Sequence, residues 1–180
     1  MTPEGLCPLG RGARYMVTMG QRIIPQNTEI HMSTETIAIA SDHGAFALKE
    51  HLVAYLKGKG HEVLDLGTHT TDAIDSPELG YTLVDAMKAG KASRGILMCG
   101  SGIGISIAAN RFPNIRAALV HDVTGARLAR EHNNANVICL GGRMTGPDLA
   151  EECVDTFLGT AFDGGERHLR RVDKLSNPPL

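Results

Sequence analysis

From Thr36 onward the chain alternates short apolar runs with longer amphipathic segments, a pattern that repeated βα units around a parallel sheet satisfy. Thr36–Ser41 (TIAIAS) reads as a buried strand. Gly44–Lys59 holds Phe46, Leu48, Leu52, Tyr55 and Leu56, with three- and four-residue spacing from Leu48 onward, and ends before Gly60, the residue expected just past a helix. Strands are expected at Glu62–Leu66, Arg94–Cys99, Arg116–Val120 and Asn136–Leu140. Helices are expected at Leu79–Lys88, Ile105–Arg111, Val123–His132, Pro147–Leu158 and Glu166–Leu175. The expected class is α/β: a three-layer α/β/α, Rossmann-like fold whose five-stranded parallel sheet carries helices on both faces.

Composition narrows the functional classes. The chain has 180 residues, 42% apolar and 21% charged, and 18 basic against 20 acidic side chains leave a net charge of -2. Such a balance gives no basic footprint for nucleic acid or an anionic membrane, and with aromatics at 4% and no Trp there is little to stack on bases. No run approaches the ~18 apolar residues of a membrane span. Cys7, Cys99, Cys139 and Cys153 are scattered without a CxxC pair, which fits free thiols in a cytoplasmic protein. Residues 1–31 lack helix or strand periodicity and read as a disordered leader or upstream extension, with Met32 just before the patterned chain; residues 32–180 read as a single domain.

In open parallel sheets ligands bind beyond the carboxyl ends of the strands. Asp42, His43 and Gly44 follow the first expected strand; Gly100, Ser101, Gly102, Ile103 and Gly104 follow the third, which Cys99 closes; His121 and Asp122 follow the fourth, and Gly141, Gly142 and Arg143 the fifth. The turn from Cys99 to Gly104 runs from strand to helix, so several backbone N–H groups converge on one point and favour an anion: a phosphate, a pyrophosphate or an enediolate oxygen. The dinucleotide fingerprint G-x-G-x-x-G fails at its last position, where Ile105 stands, and no cofactor is expected. No HExxH or Cys/His spacing calls for a metal.

Each candidate carries two readings. Cys99 is either a thiol activated by the turn or a small buried apolar residue. Ser101 either donates its hydroxyl to a developing anion or shapes the turn. His43, beside Asp42 at a strand end, reads as a functional imidazole. His132 ends a helix, where it also suits the negative end of the dipole. Arg143 is well placed for a phosphate on its Gly-Gly loop. Arg167 and Arg171 share a helix face that either grips a phosphate or is a solvated basic surface.

These motifs together resemble the type B ribose-5-phosphate isomerases and their galactose-6-phosphate isomerase relatives, from about Thr36 to Val172. The resemblance is carried by Ala40-Ser41-Asp42-His43-Gly44, by Leu97 to Gly104 continuing into Ser106-Ile107-Ala108-Ala109-Asn110, and by Arg130-Glu131-His132-Asn133 through Gly141-Gly142-Arg143 to Arg167-His168. It implies a metal-free aldose–ketose isomerase that moves a proton between C1 and C2 of an open-chain phosphosugar through a cis-enediolate. Cys99 takes the place of the base, and Ile105 stands where another branch of the family has a glutamate. Ser101 matches the proton relay, while the amides of Gly100, Gly102, Ile103 and Gly104 match the oxyanion site. His132, with Asp42, matches the ring-opening group. Phosphate and sugar contacts fall on His43, Asn133, Arg143, Arg167 and Arg171, with His168 beside them. The resemblance also implies a homodimer or dimer of dimers with its site at the subunit interface. Ser76 departs from the aromatic usual at its position, so a six-carbon phosphosugar or a rare sugar is an alternative substrate, and a binding module without chemistry is an alternative function.

Overall fold

The computed structural model describes residues 35–177, so the expected leader at residues 1–31 lies outside the described residues. Five strands, β1 (Thr36–Ser41), β2 (Glu62–Asp65), β3 (Arg94–Cys99), β4 (Ala117–Leu119) and β5 (Val137–Gly141), form one sheet. All neighbouring pairs are parallel, in the order β2-β1-β3-β5-β4. The helices among the described residues are α1 (Phe46–Gly58), α2 (Ser76–Lys88), α3 (Ile103–Ala109), α4 (Val123–Asn133), α5 (Pro147–Gly159) and α6 (Glu166–Ser176).

The boundaries differ from the sequence reading where local chemistry intervenes. Asp42 Oδ1 accepts the Gly44 N–H at 2.8 Å and caps a separate 3-10 turn, His43–Ala45, so α1 starts only at Phe46. Helix α2 starts at Ser76 rather than Leu79, because Pro77 in its first turn has no N–H to lose. Helix α3 starts at Ile103 rather than Ile105, since the chain has already turned at Gly102.

Period-two alternation divides each strand between two cores. Ile37, Ile39, Ile96, Met98, Ile138 and Leu140 face α1, α4 and α5. On the other face Ala38, Ala40, Leu97, Cys99, Val137 and Cys139 meet α2 and α3. Gly95 lets α2 approach closely: a Cβ there would lie 2.8 Å from Leu83 Cδ2.

Strand β1 pairs with β2 on one side and β3 on the other, and the crossover helices α1 and α2 lie on opposite faces. The connections therefore diverge between β1 and β3, opening a crevice at their carboxyl ends. Ser41 pairs with Met98 in register, and the Asp42 N–H donates to the Met98 carbonyl at 3.1 Å. That register sets Asp42 beside Cys99. None of the described helices is long and apolar enough to cross a membrane.

Candidate active site

Cys99 ends β3 with 5% of its surface exposed, and its Sγ accepts the Gly102 N–H at 3.1 Å. That bond fixes the sulfur on the inner side of the turn. The Ile103 N–H goes to Ser101 Oγ at 3.3 Å, leaving the Ser101 hydroxyl proton free to donate elsewhere. The N–H groups of Gly100, Ser101 and Gly104 meet no protein acceptor among the described residues. Sulfur, hydroxyl and free amides thus occupy one short turn.

The turn keeps its shape because three loops touch backbone to backbone. Gly102 has φ +78°, and a Cβ there would lie 2.6 Å from Leu119 Cδ1 and 2.9 Å from the Leu140 carbonyl carbon. A Cβ at Gly141 would lie 2.9 Å from the Ser101 carbonyl group, and one at Gly142 2.5 Å from Ala45 Cβ. Gly44 closes the set, its Cβ position being 3.2 Å from the Gly100 backbone. The loops after β1, β3 and β5 are therefore packed on one another, with no room for a methyl group at Gly102, Gly141 or Gly142. The Gly142 and Arg143 amides fasten this contact by donating to the Cys99 and Gly100 carbonyls at 2.8 and 3.1 Å.

Around this floor stand the other residues of the carboxyl edge. Asp42 is buried and holds Gly44, as described. His43 Nδ1 accepts the Ile74 N–H at 3.3 Å, which leaves the neutral ring's proton on Nε2. The Arg143 side chain lies over Gly100, whose Cβ position is 3.5 Å from Arg143 Cδ and Nε. A cation over a turn with free amides favours an anionic ligand.

His132, Asn133, Arg167, His168 and Arg171 are elsewhere. Helix α4 starts at the carboxyl edge, after β4, and its 11 residues carry the chain about 16 Å toward the amino edge. His132 and Asn133 lie in its last turn, next to the segment that leads into β5. His132 stacks on His168 with ring centroids 4.6 Å apart. His168 is buried; its ring bonds to Asp163 at 2.7 Å and to Arg167 at 3.2 Å. Arg167 and Arg171 are exposed on α6. Within one chain, then, His132 is not beside Asp42, and the candidates fall into two groups at opposite edges of the sheet.

Lys49 was not among the sequence candidates, although it is wholly buried and bound to Asp65 at the end of β2. The remaining described cysteines are free and buried, and burial pushes the Cys139 and Cys153 thiols up, which keeps them protonated at neutral pH. No group of three or more His, Cys, Asp or Glu side chains among the described residues is arranged to hold a metal.

A parallel α/β sheet with an anion-stabilising turn, a thiol and a cation at its topological switch point defines a protein built to handle a small anionic metabolite. The family model for ribose/galactose isomerases matches residues 37–175. Ribose-5-phosphate isomerase B of Escherichia coli is 42% identical over 140 residues, 78% of this chain and 93% of that protein. D-erythrulose-4-phosphate isomerase of Pectobacterium atrosepticum is 46% identical over 131 residues, covering 72% of this chain and 86% of that one. The crystal structure of a ribose 5-phosphate isomerase from Thermotoga maritima superposes with a TM-score of 0.77 at 53% identity, covering 79% of this chain and 97% of that chain. The chain belongs to the ribose/galactose isomerase family and is a sugar-phosphate isomerase.

Proposed function

We propose that this chain interconverts ribose 5-phosphate and ribulose 5-phosphate, a step of pentose phosphate metabolism, through a cis-enediolate with Cys99 as the base. The observation that carries the reading is the Gly102 amide on Cys99 Sγ, in a turn where the amides of Gly100, Ser101 and Gly104 are free for an oxyanion. The thiolate takes the proton from C2 of the open-chain aldose, and the electron pair moves onto the C1 oxygen, facing the amides of Gly100, Ser101 and Gly104. Ser101 passes the hydroxyl proton from O2 to O1. The Cys99 thiol then returns its proton to C1, giving the ketose. Neither step requires a metal or cofactor. His43 and Arg143 take the phosphosugar at the carboxyl edge.

The active unit in this reading is a homodimer or dimer of dimers. His132, Asn133, Arg167, His168 and Arg171 sit at the opposite edge of their own chain, so a two-fold related copy is needed to lay them against the first chain's Cys99. His132, as ring-opening group, and the C-terminal arginines, as phosphate contacts, then act across the interface. Cys99→Ala and His132→Ala chains, each inactive alone, are expected to recover about a quarter of wild-type activity when co-expressed, since half of randomly formed dimers hold one intact site. No recovery would place the whole site in one chain. Free buried thiols are compatible with the cytoplasmic location that the sequence implies.

Proton NMR of ribose 5-phosphate with the protein in D2O and EDTA tests the reaction. Ribulose 5-phosphate with deuterium at C1 is expected. Turnover of D-erythrulose 4-phosphate or a six-carbon phosphosugar alone would move the substrate, the shorter sugar being the one in the name of the Pectobacterium relative. Binding without hydrogen exchange would leave a module without chemistry. Arg143→Ala is expected to raise KM for ribose 5-phosphate about ten- to a hundredfold, as loss of a charge-assisted bond does, with a smaller effect on kcat. An unchanged KM would make Arg143 structural.

A further inference from the structure

Lys49 lies on α1 with no exposed surface, and its Nζ meets Asp65 Oδ1 and Oδ2 at 2.8 and 2.6 Å and Glu50 at 2.7 Å. An ion pair whose cation is wholly buried is a poor way to hold a helix on a sheet, because an apolar side chain of the same volume does so as well or better. What the pair supplies is direction. Asp65 Oδ1, held by Lys49, also accepts the Gly67 N–H at 3.0 Å. Gly67 and Thr68 then continue the pairing along β1: the Ser41 N–H donates to the Gly67 carbonyl at 2.8 Å and the Thr68 N–H to the Ser41 carbonyl at 2.7 Å. The same loop, between β2 and α2, ends by presenting the Ile74 N–H to His43 Nδ1. A chain of bonds thus runs from Lys49 through the loop to a ring at the carboxyl edge.

We propose that Lys49 is a positioning residue. Through Asp65 it pins the β2–α2 loop to the end of β1, so that the Ile74 amide holds His43 in the tautomer with its proton on Nε2, and that N–H is the donor offered to the phosphosugar. The last step rests on the proposed function, in which His43 contacts the substrate; the ring state does not, and it is read without ligand.

The test is the Lys49→Met/Asp65→Asn double variant, which removes both charges and so leaves neither buried alone. Histidine is labelled with 15N, and His43 is followed by long-range proton–nitrogen correlation at pH about 8, where an ordinary imidazole is neutral. The wild-type ring is expected to show an unprotonated Nδ1 and a protonated Nε2. In the double variant, with folding verified by its amide spectrum, the two nitrogens are expected to move toward averaged shifts. KM for ribose 5-phosphate should rise about tenfold with kcat changed less than about twofold. If the double variant does not fold, Asp65→Asn alone, which retains an acceptor for Gly67 but weakens the hold of Lys49, should give the same displacement in smaller measure. A wild-type ring protonated on Nδ1, or a folded variant with unaltered His43 shifts and KM, would overturn the inference. A wild-type protein that turns over no phosphosugar would overturn the proposed function instead, while the ring measurement would still decide the role of Lys49.

Discussion

Replacing Cys99 with alanine is expected to lower kcat for ribose 5-phosphate by about 10²–10⁴, the contribution of a well-placed general base, while the affinity for phosphosugar stays within a few fold. The split follows from the geometry. Sγ faces the Gly102 amide inside the turn, whereas the expected phosphate contacts, His43 and Arg143, belong to the loops after β1 and β5. Removing sulfur takes away the proposed proton acceptor and leaves those contacts standing. Steady-state kinetics together with isothermal titration of ribose 5-phosphate check both halves. Retained turnover would pass the base to another group, and lost binding would mean that the thiol holds the turn together. A Cys99→Ser variant refines the point, since a hydroxyl can accept the same amide yet is far less acidic than a thiol.

Gly102→Ala is expected to be the most damaging change of a single methyl group at this site. The backbone at φ +78° costs a non-glycine residue about 1–2 kcal/mol. The added carbon also meets Leu119 and the Leu140 backbone at distances no real contact sustains, and such overpacking typically costs about 1–3 kcal/mol. Together these give about 2–5 kcal/mol of lost stability, readable by urea denaturation. Whatever relief the chain finds must swing the turn, so the Gly102 N–H leaves Cys99 and kcat falls along with stability. By contrast, Gly146→Ala adds a methyl group with no neighbour within 4 Å, in an extended stretch at the start of α5, and is expected to be nearly neutral. Comparable effects at the two positions would refute the close-packed account of the turn.

Much of this was legible before the structure. β1 and β3 fall where the TIAIAS and RGILMC runs predict, and the carboxyl-edge residues are those named from strand ends. Local pattern suffices there, because a buried strand and the turn after it are specified by adjacent residues. Strand order was not, since the insertion of β5 between β3 and β4 depends on how crossovers pack rather than on any one segment. Nor was the division of the candidates between two edges. A motif aligns residues along the chain, and only the direction of α4 shows that its last turn lies at the far edge from its first. Lys49 does leave a signal in the sequence: with Leu52, Val53 and Leu56 it occupies the i, i+3, i+4, i+7 positions of the buried face of α1. A charged residue inside an apolar stripe announces a buried partner, here Asp65.

The interlocked glycine loops also bear on how such an enzyme changes its diet over evolutionary time. Side chains at Gly102, Gly141 and Gly142 are closed off, because a Cβ at each would already meet a neighbouring segment. New specificity has to come from side chains that overlook the turn without being part of it, and Ser76, whose Oγ is 3.6 Å from the Cβ position of Gly104, occupies such a place. A change of substrate can then leave the turn itself untouched.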